Sequence, residues 1–305
     1  MAWSDWQHQS PPADLPLAPL YRINYKKLVA GNAAEIERLF AACKDTGFFY
    51  LDLENEPILK NVDEQFEIGE EFYKVPGFPK VDSAGNKDWT EFINVKALDI
   101  IDGDDDRAMR GPDILNHRKP QLRAFVERGH GILTTTTQLR FTCSTPTWGP
   151  DITPISFVAH TDATALTLLF NQTSGLQILP AEAQTDDEWL WVRPLPGHVI
   201  VNVGDAMSIL SNQQFKSNRH RVVRPWGQEA QLKRFSVLNT LRPDDDATMA
   251  GISTDGHCLP RPDGRKPATG LEWSISKFRA VHVGKGLVQD PTRVEVATDG
   301  KIFGY

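Results

Sequence analysis

The sequence predicts an α+β or mainly-β protein whose core is an antiparallel β structure of jelly-roll or barrel type. Several segments in the first 137 residues carry apolar residues at helical spacing. After about residue 138, short segments rich in Val, Ile, Thr and Trp are separated by Pro, Gly, Asn and Asp, as in two-sheet β folds. A length of 305 residues is compatible with one domain carrying terminal elaborations or with two domains.

The N-terminal part is predicted to begin with a short strand over 21–25, a helix over 34–44 and a buried strand over 48–53. Asn32 has the position of a helix N-cap, and Glu35 is placed to complete a capping box. Gly47 is expected to end the helix. The run FFYLDL after it consists mostly of apolar residues, which indicates a strand buried on both faces.

Two more helices and one strand are predicted before the core. The helix over 58–73 has its apolar residues on one stripe and stops before Pro76. A strand is expected over 91–95 and a third helix over 120–137, although the last four residues of that helix are Thr, a poor helix former. Together these elements form an N-terminal helical region over residues 1–137.

The β-core is predicted over residues 138–245, and residues 246–305 are expected to form a C-terminal extension packing on it. Helices thus come first and strands follow, which is the order typical of an α+β or mainly-β domain. The strands of the core are expected over 157–160, 165–170, 175–179, 189–192, 198–203, 219–223 and 234–241.

Composition narrows the classes of function. The net charge of −7 and the sequence pI of about 5.6 argue against a nucleic-acid-binding surface. Three widely spaced cysteines form neither a CxxC pair nor a disulfide framework, which favours a reducing compartment. The N-terminal residues do not resemble a secretory signal, and no apolar run is long enough for a membrane span, so a cytoplasmic protein without membrane contact is expected.

His160, Asp162 and His220 form the pattern H-x-D followed by a distant H. Alternate residues of a strand point to the same face, so His160 and Asp162 can bind one ion while Thr161 points away. Two imidazoles and one carboxylate make a one-sided clamp for a divalent metal such as Fe(II), with adjacent coordination positions left for a cosubstrate and O₂. These three residues are the predicted catalytic metal ligands.

Two other interpretations of this pattern remain open at the level of residues. A His with a carboxylate two positions later also occurs as a charged pair on a surface strand. A three-ligand zinc hydrolase would use the same residue types, although no cysteine, a frequent ligand of structural zinc, lies near them in the sequence.

Arg234 and Ser236 follow the third predicted ligand on a predicted strand, again two positions apart. A guanidinium binds a carboxylate through two parallel hydrogen bonds, and a hydroxyl can add a third. A keto-diacid could therefore chelate the metal at one end and place its distal carboxylate on Arg234. For Arg234 alone, a surface salt bridge is the alternative.

The motifs HTD (160–162), PGHVIVNVGD (196–205), SNQQFKSNRHRV (211–222) and RFS (234–236) resemble the isopenicillin N synthase-like branch of the Fe(II)/2-oxoglutarate-dependent oxygenases. The resemblance covers most of the chain. TGFFYL (46–51) is similar to the N-terminal strand of that family, and EFYKVP (71–76) and DWTEFINV (88–95) are similar to segments of its fungal members.

This resemblance implies a double-stranded β-helix with flanking helices. It implies that His160, Asp162 and His220 are the iron ligands, and that Arg234 and Ser236 bind the C5 carboxylate of 2-oxoglutarate. Residues Asn202, Gly204 and Asp205 are similar to a structural turn of the family and receive no catalytic role.

The chain departs from the family pattern at two places. A tyrosine that contributes to cosubstrate binding in relatives is expected where LRFTCSTP (139–146) places Ser144. Relatives also have a longer helix and connector where this chain passes from GHGILTTTT directly to QLRF. The shorter connection, near residue 137, is expected to weaken the helix packed on the sheet.

The resemblance predicts an oxygenase that hydroxylates, desaturates or cyclises a small organic molecule in secondary metabolism, releasing succinate and CO₂. One alternative is an iron oxidase of the same fold that does not use 2-oxoglutarate, in which Arg234 and Ser236 hold the substrate's own carboxylate. Another is an inactive binding module, resulting from the shorter connection. The sequence does not indicate an oligomeric state. Candidate substrate-lining residues, each equally compatible with the core, are Phe92, Asn94, Phe170, Phe215 and Leu238.

Overall fold

The computed structural model contains two β-sheets with helices packed on the larger one, as the predicted fold class requires. It describes residues 3, 6, 9–74, 90–96, 100, 113–130, 138–144, 155–180, 182–185, 188–261 and 263–282. Among these residues, no helix is long and apolar enough to cross a bilayer.

The N-terminal part alternates short strands with helices. Its strands are β1 (Tyr21–Asn24), β2 (Phe48–Asp52) and β3 (Thr90–Lys96), and its described helices are α1 (Tyr25–Val29), α2 (Ala33–Asp45), α3 (Ile58–Phe72), α4 (Asp113–His117) and α5 (Lys119–His130). The predicted third helix therefore corresponds to α5, and its expected last residues, 131–137, lie outside the described part, as does Pro76.

The rest of the chain is mostly β structure. Its strands are β4 (Gln138–Ser144), β5 (Ile155–His160), β6 (Leu166–Asn171), β7 (Leu176–Ile178), β8 (Leu190–Trp191), β9 (His198–Val203), β10 (His220–Val223) and β11 (Arg234–Leu241). Helix α6 (Asp205–Leu210), a 3₁₀ turn (Gly227–Gln231) and helix α7 (Gly270–His282) complete it. The sequence pattern predicted neither α6 nor α7.

The larger sheet has seven strands in the order β1-β2-β9-β6-β11-β4-β3, and the smaller has four in the order β5-β10-β7-β8. Among the described strands, β1 and β2 form the only parallel pair, and the other neighbouring pairs are antiparallel. Two mostly antiparallel sheets of this kind are the expected jelly-roll arrangement.

Strand β2 shows why its sequence is apolar at almost every position. Phe49 and Leu51 point into the cluster between the larger sheet and the helices. Phe48 and Tyr50 point to the other face, into a cluster that includes Leu176 of the smaller sheet. Because side chains alternate along a strand, a strand covered on both faces needs apolar residues at consecutive positions.

The N-cap of helix α2 and the glycine that follows the helix agree with the sequence prediction, but one hydrogen bond of the predicted capping box does not form. The side-chain oxygen of Asn32 accepts a hydrogen bond from the backbone N–H of Glu35 over 3.0 Å, as an N-cap does. The reciprocal half of the capping box is absent, because the Glu35 carboxylate instead accepts from the backbone N–H of Asn24 over 2.7 Å. Gly47 follows the helix with a φ of 68°, where glycine is favoured.

Candidate metal centre and adjoining cavity

The three predicted metal ligands come from neighbouring strands of the smaller sheet. His160 is the last residue of β5, His220 is the first of β10, and the two are paired across the antiparallel ladder. Asp162 lies in the loop that follows β5. The ladder therefore fixes the spacing of the two imidazoles, while the loop fixes the carboxylate.

The ligand atoms converge. One atom each from His160, Asp162 and His220 lies within 4.8 Å of the others. Nε2 of His160 is 3.5 Å from Oδ1 of Asp162, and Nε2 of His220 is 3.7 Å from the same oxygen. Two imidazole nitrogens and one carboxylate oxygen on one side of an ion suit a non-haem Fe(II) with open positions.

Each imidazole is oriented by a hydrogen bond from its other nitrogen. Nδ1 of His160 donates to the carbonyl of Val158 over 2.8 Å, and Nδ1 of His220 donates to the carbonyl of Asn218 over 3.2 Å. Because a carbonyl only accepts, both Nε2 atoms are left as the unprotonated, ligating nitrogens. Burial lowers the pKa of His220 to about 4, so this ring is neutral at physiological pH, as a metal ligand must be.

The carboxylate of Asp162 is held through the oxygen that faces away from the imidazoles. Its Oδ2 accepts hydrogen bonds from Oγ1 of Thr167 over 2.7 Å and from Nδ2 of Asn202 over 2.8 Å. Burial raises the pKa of Asp162, but the adjoining imidazoles of His220 and His160 and the hydrogen bond from Asn202 outweigh it and hold the pKa well below its usual range. The group is therefore ionised and presents Oδ1 to an ion.

The loop carrying Asp162 is fastened to the segment after β9. The backbone N–H of Asp205 donates to the carbonyl of Asp162 over 2.8 Å. The Asp205 carboxylate accepts from the hydroxyl of Thr161 over 3.1 Å and forms a buried ion pair with Lys277 of α7 over 2.7 Å. Thr161 thus points away from the ligand atoms, as strand alternation predicts.

The second predicted site lies on β11. Arg234 is buried; its Nε donates to the carbonyl of Ser174 over 3.1 Å and its Nη1 donates to the hydroxyl of Ser236 over 2.8 Å. Its Nη2 is buried and has no hydrogen-bond partner among the described residues. Burial lowers the pKa of Arg234 to about 10, partly opposed by Glu229, so the guanidinium stays charged at neutral pH. A buried cation with an unused donor is suited to an anionic ligand.

One cavity contains both sites and lies between the two sheets. The three metal-site residues line it together with Arg234 and Ser236. Its apolar wall comprises Phe48, Phe157, Leu169, Leu176, Val222 and Leu238. The metal-site residues His160 and Asp162 are partly exposed whereas Arg234 and Ser236 are buried, so the arginine end is the closed end.

Of the candidate substrate-lining residues, Leu238 lines the cavity. Phe170 and Phe215 belong instead to the cluster on the helix side of the larger sheet. Asn94 is exposed and accepts a hydrogen bond from Arg140 over 2.7 Å. Phe92 is paired with Thr142 in the ladder, and its side chain lies outside what the structure describes.

Strand β4 contributes a row of polar residues that the sequence analysis did not single out. Arg140, Thr142 and Ser144 all line the cavity. They lie opposite Leu238, Ser236 and Arg234 of β11, respectively. The signal was present in LRFTCS as polar residues at alternate positions. The position noted as a departure, Ser144, is therefore beside Arg234.

Comparisons with known proteins identify relatives of this chain. Residues 136–243 match the 2OG-Fe(II) oxygenase superfamily. The chain is 28% identical to a 2-oxoglutarate-dependent dioxygenase of Aspergillus fumigatus, with 80% of each chain covered. It is 26% identical to a 2-oxoglutarate-dependent dioxygenase of Gibberella zeae, over 79% of this chain and 85% of that one.

Solved structures show the same fold. The crystal structure of a full-length Neurospora crassa protein in complex with alpha-KG superposes with a TM-score of 0.65. That comparison covers 90% of this chain and 99% of the other, at 20% sequence identity. At this identity the likeness shows the fold alone.

Proposed function

The chain belongs to the 2OG-Fe(II) oxygenase superfamily and is a dioxygenase that uses Fe(II), 2-oxoglutarate and O₂, and on this premise we propose that it oxidises a small organic molecule in secondary metabolite biosynthesis. The oxidation is a hydroxylation, a desaturation or a ring closure. One observation carries the proposal: the three residues with converging ligand atoms line a single cavity with Arg234, whose buried Nη2 has no described hydrogen-bond partner.

His160, Asp162 and His220 are the proposed iron ligands, and Arg234 and Ser236 are the proposed site of the distal carboxylate of 2-oxoglutarate. The donor set supports the first assignment, and the unused donor of Arg234 supports the second. When bound, iron and 2-oxoglutarate would react with O₂ to oxidise a C–H bond of the substrate. In the same reaction 2-oxoglutarate would be converted to succinate and CO₂.

The protein's own contribution is orientation and a dry site. Thr167 and Asn202 fix the carboxylate of Asp162, and backbone carbonyls fix both imidazoles. The apolar residues of the wall exclude water from the reacting centre, which prevents side reactions of a strong oxidant.

A small-molecule substrate is supported by the cavity and the charge. The cavity has a mostly apolar wall with a few polar side chains that converge in it, as sites for small ligands do. The net charge of −7 does not favour nucleic acid. Similarity to 2-oxoglutarate-dependent dioxygenases of several fungi supports secondary metabolism as the setting.

The domain organisation and location are part of the same proposal. We assign residues 1–137 to an N-terminal helical region, 138–245 to the catalytic β-core and 246–305 to a C-terminal extension. The family match over 136–243 and the packing of Trp273 against Ala165, Ala206 and Leu241 support these boundaries. Three free cysteines and an Fe(II) cofactor favour the reducing environment of the cytoplasm.

The test is turnover with a panel of candidate metabolites. The protein is incubated with Fe(II), 2-oxoglutarate and O₂, and succinate is measured together with products that have gained one oxygen or lost two hydrogens. We expect succinate and oxidised product in equal amounts, and neither with His160→Ala. A His160→Ala variant that still couples the two would refute the proposal.

The same experiment separates the alternatives. Oxidised product without succinate would indicate an iron oxidase that does not use 2-oxoglutarate. Iron binding without consumption of 2-oxoglutarate across the panel would indicate a binding module.

A further inference from the structure

The guanidinium of Arg234 rests on the backbone segment between β6 and β7. Its Nε donates to the carbonyl of Ser174 over 3.1 Å. The next residue, Gly175, has a φ of 118°, and a Cβ there would overlap the carbonyl oxygen of Val223 and lie 3.4 Å from Nε of Arg234. Glycine is therefore needed for the chain to pass this close to the guanidinium. The position of Ser174 and Gly175 determines where Nε of Arg234 is held.

The buried carboxylate of Glu229 holds the same segment. Glu229 lies in the 3₁₀ turn and is 2% exposed, and its Oε2 accepts a hydrogen bond from the backbone N–H of Ser174 over 2.7 Å. Its Oε1 accepts from the backbone N–H of Gln9 over 3.3 Å. Hydrogen bonds to an ionised acceptor are stronger than those between neutral groups. Glu229 and Arg234 are thus connected through Ser174, whose N–H binds the carboxylate and whose carbonyl binds the guanidinium.

The charge of Glu229 acts on Arg234 without occupying the free donor of that residue. Burial lowers the pKa of Arg234, and Glu229 acts in the opposite direction, as a nearby opposite charge does. The hydrogen bonds described for the carboxylate come from backbone N–H groups, and Nη2 of Arg234 has no described partner. A buried cation near a buried anion costs less free energy than an isolated one. The carboxylate therefore compensates the guanidinium while leaving its Nη2 to an anionic ligand.

We propose that Glu229 is a positioning residue for the cosubstrate, acting through Ser174 on the guanidinium that binds the distal carboxylate of 2-oxoglutarate. This inference rests on the proposed function and deepens its cosubstrate site. Because Nε and Nη1 of Arg234 are bound to Ser174 and Ser236, holding Ser174 in place fixes the plane of the guanidinium and the direction of Nη2. That direction matters, since a hydrogen bond weakens steeply as it bends. Glu229 is not among the described residues that line the cavity, so its effect is indirect.

The experiment compares two keto acids that differ at the end that Arg234 would bind. The protein is loaded with Mn(II) in place of Fe(II), and dissociation constants are measured calorimetrically for 2-oxoglutarate and for 2-oxopentanoate, in which a methyl group replaces the distal carboxylate. In the wild type we expect 2-oxoglutarate to bind about 100-fold more tightly, because its distal carboxylate adds hydrogen bonds to a charged group. Arg234→Met should remove nearly all of this preference.

Two variants of Glu229 separate hydrogen bonding from charge. Glu229→Met has no acceptor for the N–H of Ser174, and should lower the preference about tenfold by weakening the binding of 2-oxoglutarate alone. Glu229→Gln lacks the charge but has an amide oxygen that can accept from this N–H, and should keep the preference within about threefold of the wild type. Affinities for 2-oxopentanoate and Mn(II) should not change in either variant, whereas a general loss of structure would lower both.

The matched control is Glu35→Met. Glu35 is also a buried carboxylate that accepts from a backbone N–H over 2.7 Å, but it lies on α2 and is not among the described lining residues. This variant should lower the melting temperature and leave the preference unchanged. If thermal melting shows that Glu229→Met does not fold, Glu229→Asp carries the test. It keeps the charge but draws the oxygens back by one methylene group, and should lower the preference about threefold or more.

The inference is overturned if Glu229→Met, or Glu229→Asp in its place, keeps the preference of the wild type or binds 2-oxoglutarate more tightly. It is also overturned if Glu229→Gln loses as much as Glu229→Met, because the charge alone would then act, or if Glu35→Met loses as much, because reduced stability would then explain the effect. Failure of the proposed function would appear with Glu229 intact: the wild type would not prefer 2-oxoglutarate, or Arg234→Met would keep the preference.

Discussion

Asn202 donates a hydrogen bond from Nδ2 to Oδ2 of Asp162 over 2.8 Å and thereby connects the larger sheet to a proposed metal ligand. Asn202 is buried on β9, next to Thr167 in the ladder between β6 and β9. Thr167 donates a hydrogen bond to the same oxygen. Asp162 is therefore held by two strands of the larger sheet, whereas His160 and His220 belong to the smaller sheet.

Asn202→Ala should weaken metal binding about 10- to 100-fold, the usual effect of removing a group that orients a ligand. The measurement is a titration of the metal-free protein with Mn(II) or Fe(II) under anaerobic conditions. Asn239→Ala is the matched control, because Asn239 is also buried in the larger sheet but makes no described contact with Asp162. Equal affinities for the two variants would contradict this role for Asn202.

Arg234→Met should reduce the affinity for 2-oxoglutarate more than Ser236→Ala does. The first change removes a buried charge and all three of its donor nitrogens. The second removes one hydroxyl, whose hydrogen bond to a carboxylate contributes about 1.5–3 kcal/mol. Dissociation constants of the Mn(II)-loaded protein check the order. Thr142→Val serves as control, since Thr142 faces the cavity opposite Ser236; a loss as large as that of Ser236→Ala would argue against the assigned position of the carboxylate.

Gly204→Ala should destabilise the protein by about 1–3 kcal/mol or more, because a Cβ at this position would overlap the carbonyl oxygen of Thr164. The loop displaced by this overlap carries Asp162, so metal affinity should fall as well. Urea unfolding gives the free-energy change. Gly69→Ala in α3 is the control: its Cβ would have an ordinary contact of 3.4 Å with Phe141, and it should leave stability unchanged or raise it.

Lys277→Met should destabilise the protein by about 3–5 kcal/mol, because it leaves the buried carboxylate of Asp205 without its cation. The double variant with Asp205→Asn should recover part of this loss, since no buried charge then remains unpaired. Lys74→Met removes an exposed lysine and should change the unfolding free energy little. Equal unfolding free energies for Lys277→Met and Lys74→Met would show that the ion pair between α7 and Asp205 does not stabilise the protein in solution.

The elements best predicted from sequence are those whose pattern is local. The bounds of β9 and β11 agree with the prediction because apolar runs and turn residues frame them. Helix α6 is only six residues long and contains too few turns for a periodic pattern. Only half of the predicted capping box forms because of a tertiary contact. The Glu35 side chain accepts a hydrogen bond from the backbone of Asn24 rather than from that of Asn32.

The candidate site could be predicted where the alternation of side chains along a strand decides which face a residue points to. This alternation places Arg234 with Ser236, and His160 with Asp162, without any knowledge of the fold. The side of the sheet that a residue such as Phe170 faces depends on register: it pairs with Val237, whereas the cavity residue Leu169 pairs with Leu238. Contacts such as those of Lys277 and Asn202 join distant segments and have no local signal.

A cavity that is closed at the Arg234 end also imposes a sequence of events. A molecule destined for that end must pass the metal level, and a second molecule bound beside the proposed metal ligands would then block its way out. On the proposed assignments, we expect the diacid to enter before the organic substrate, and succinate to leave only after the oxidised product has gone. In steady-state kinetics this corresponds to compulsory-order addition, with succinate as the last species to dissociate.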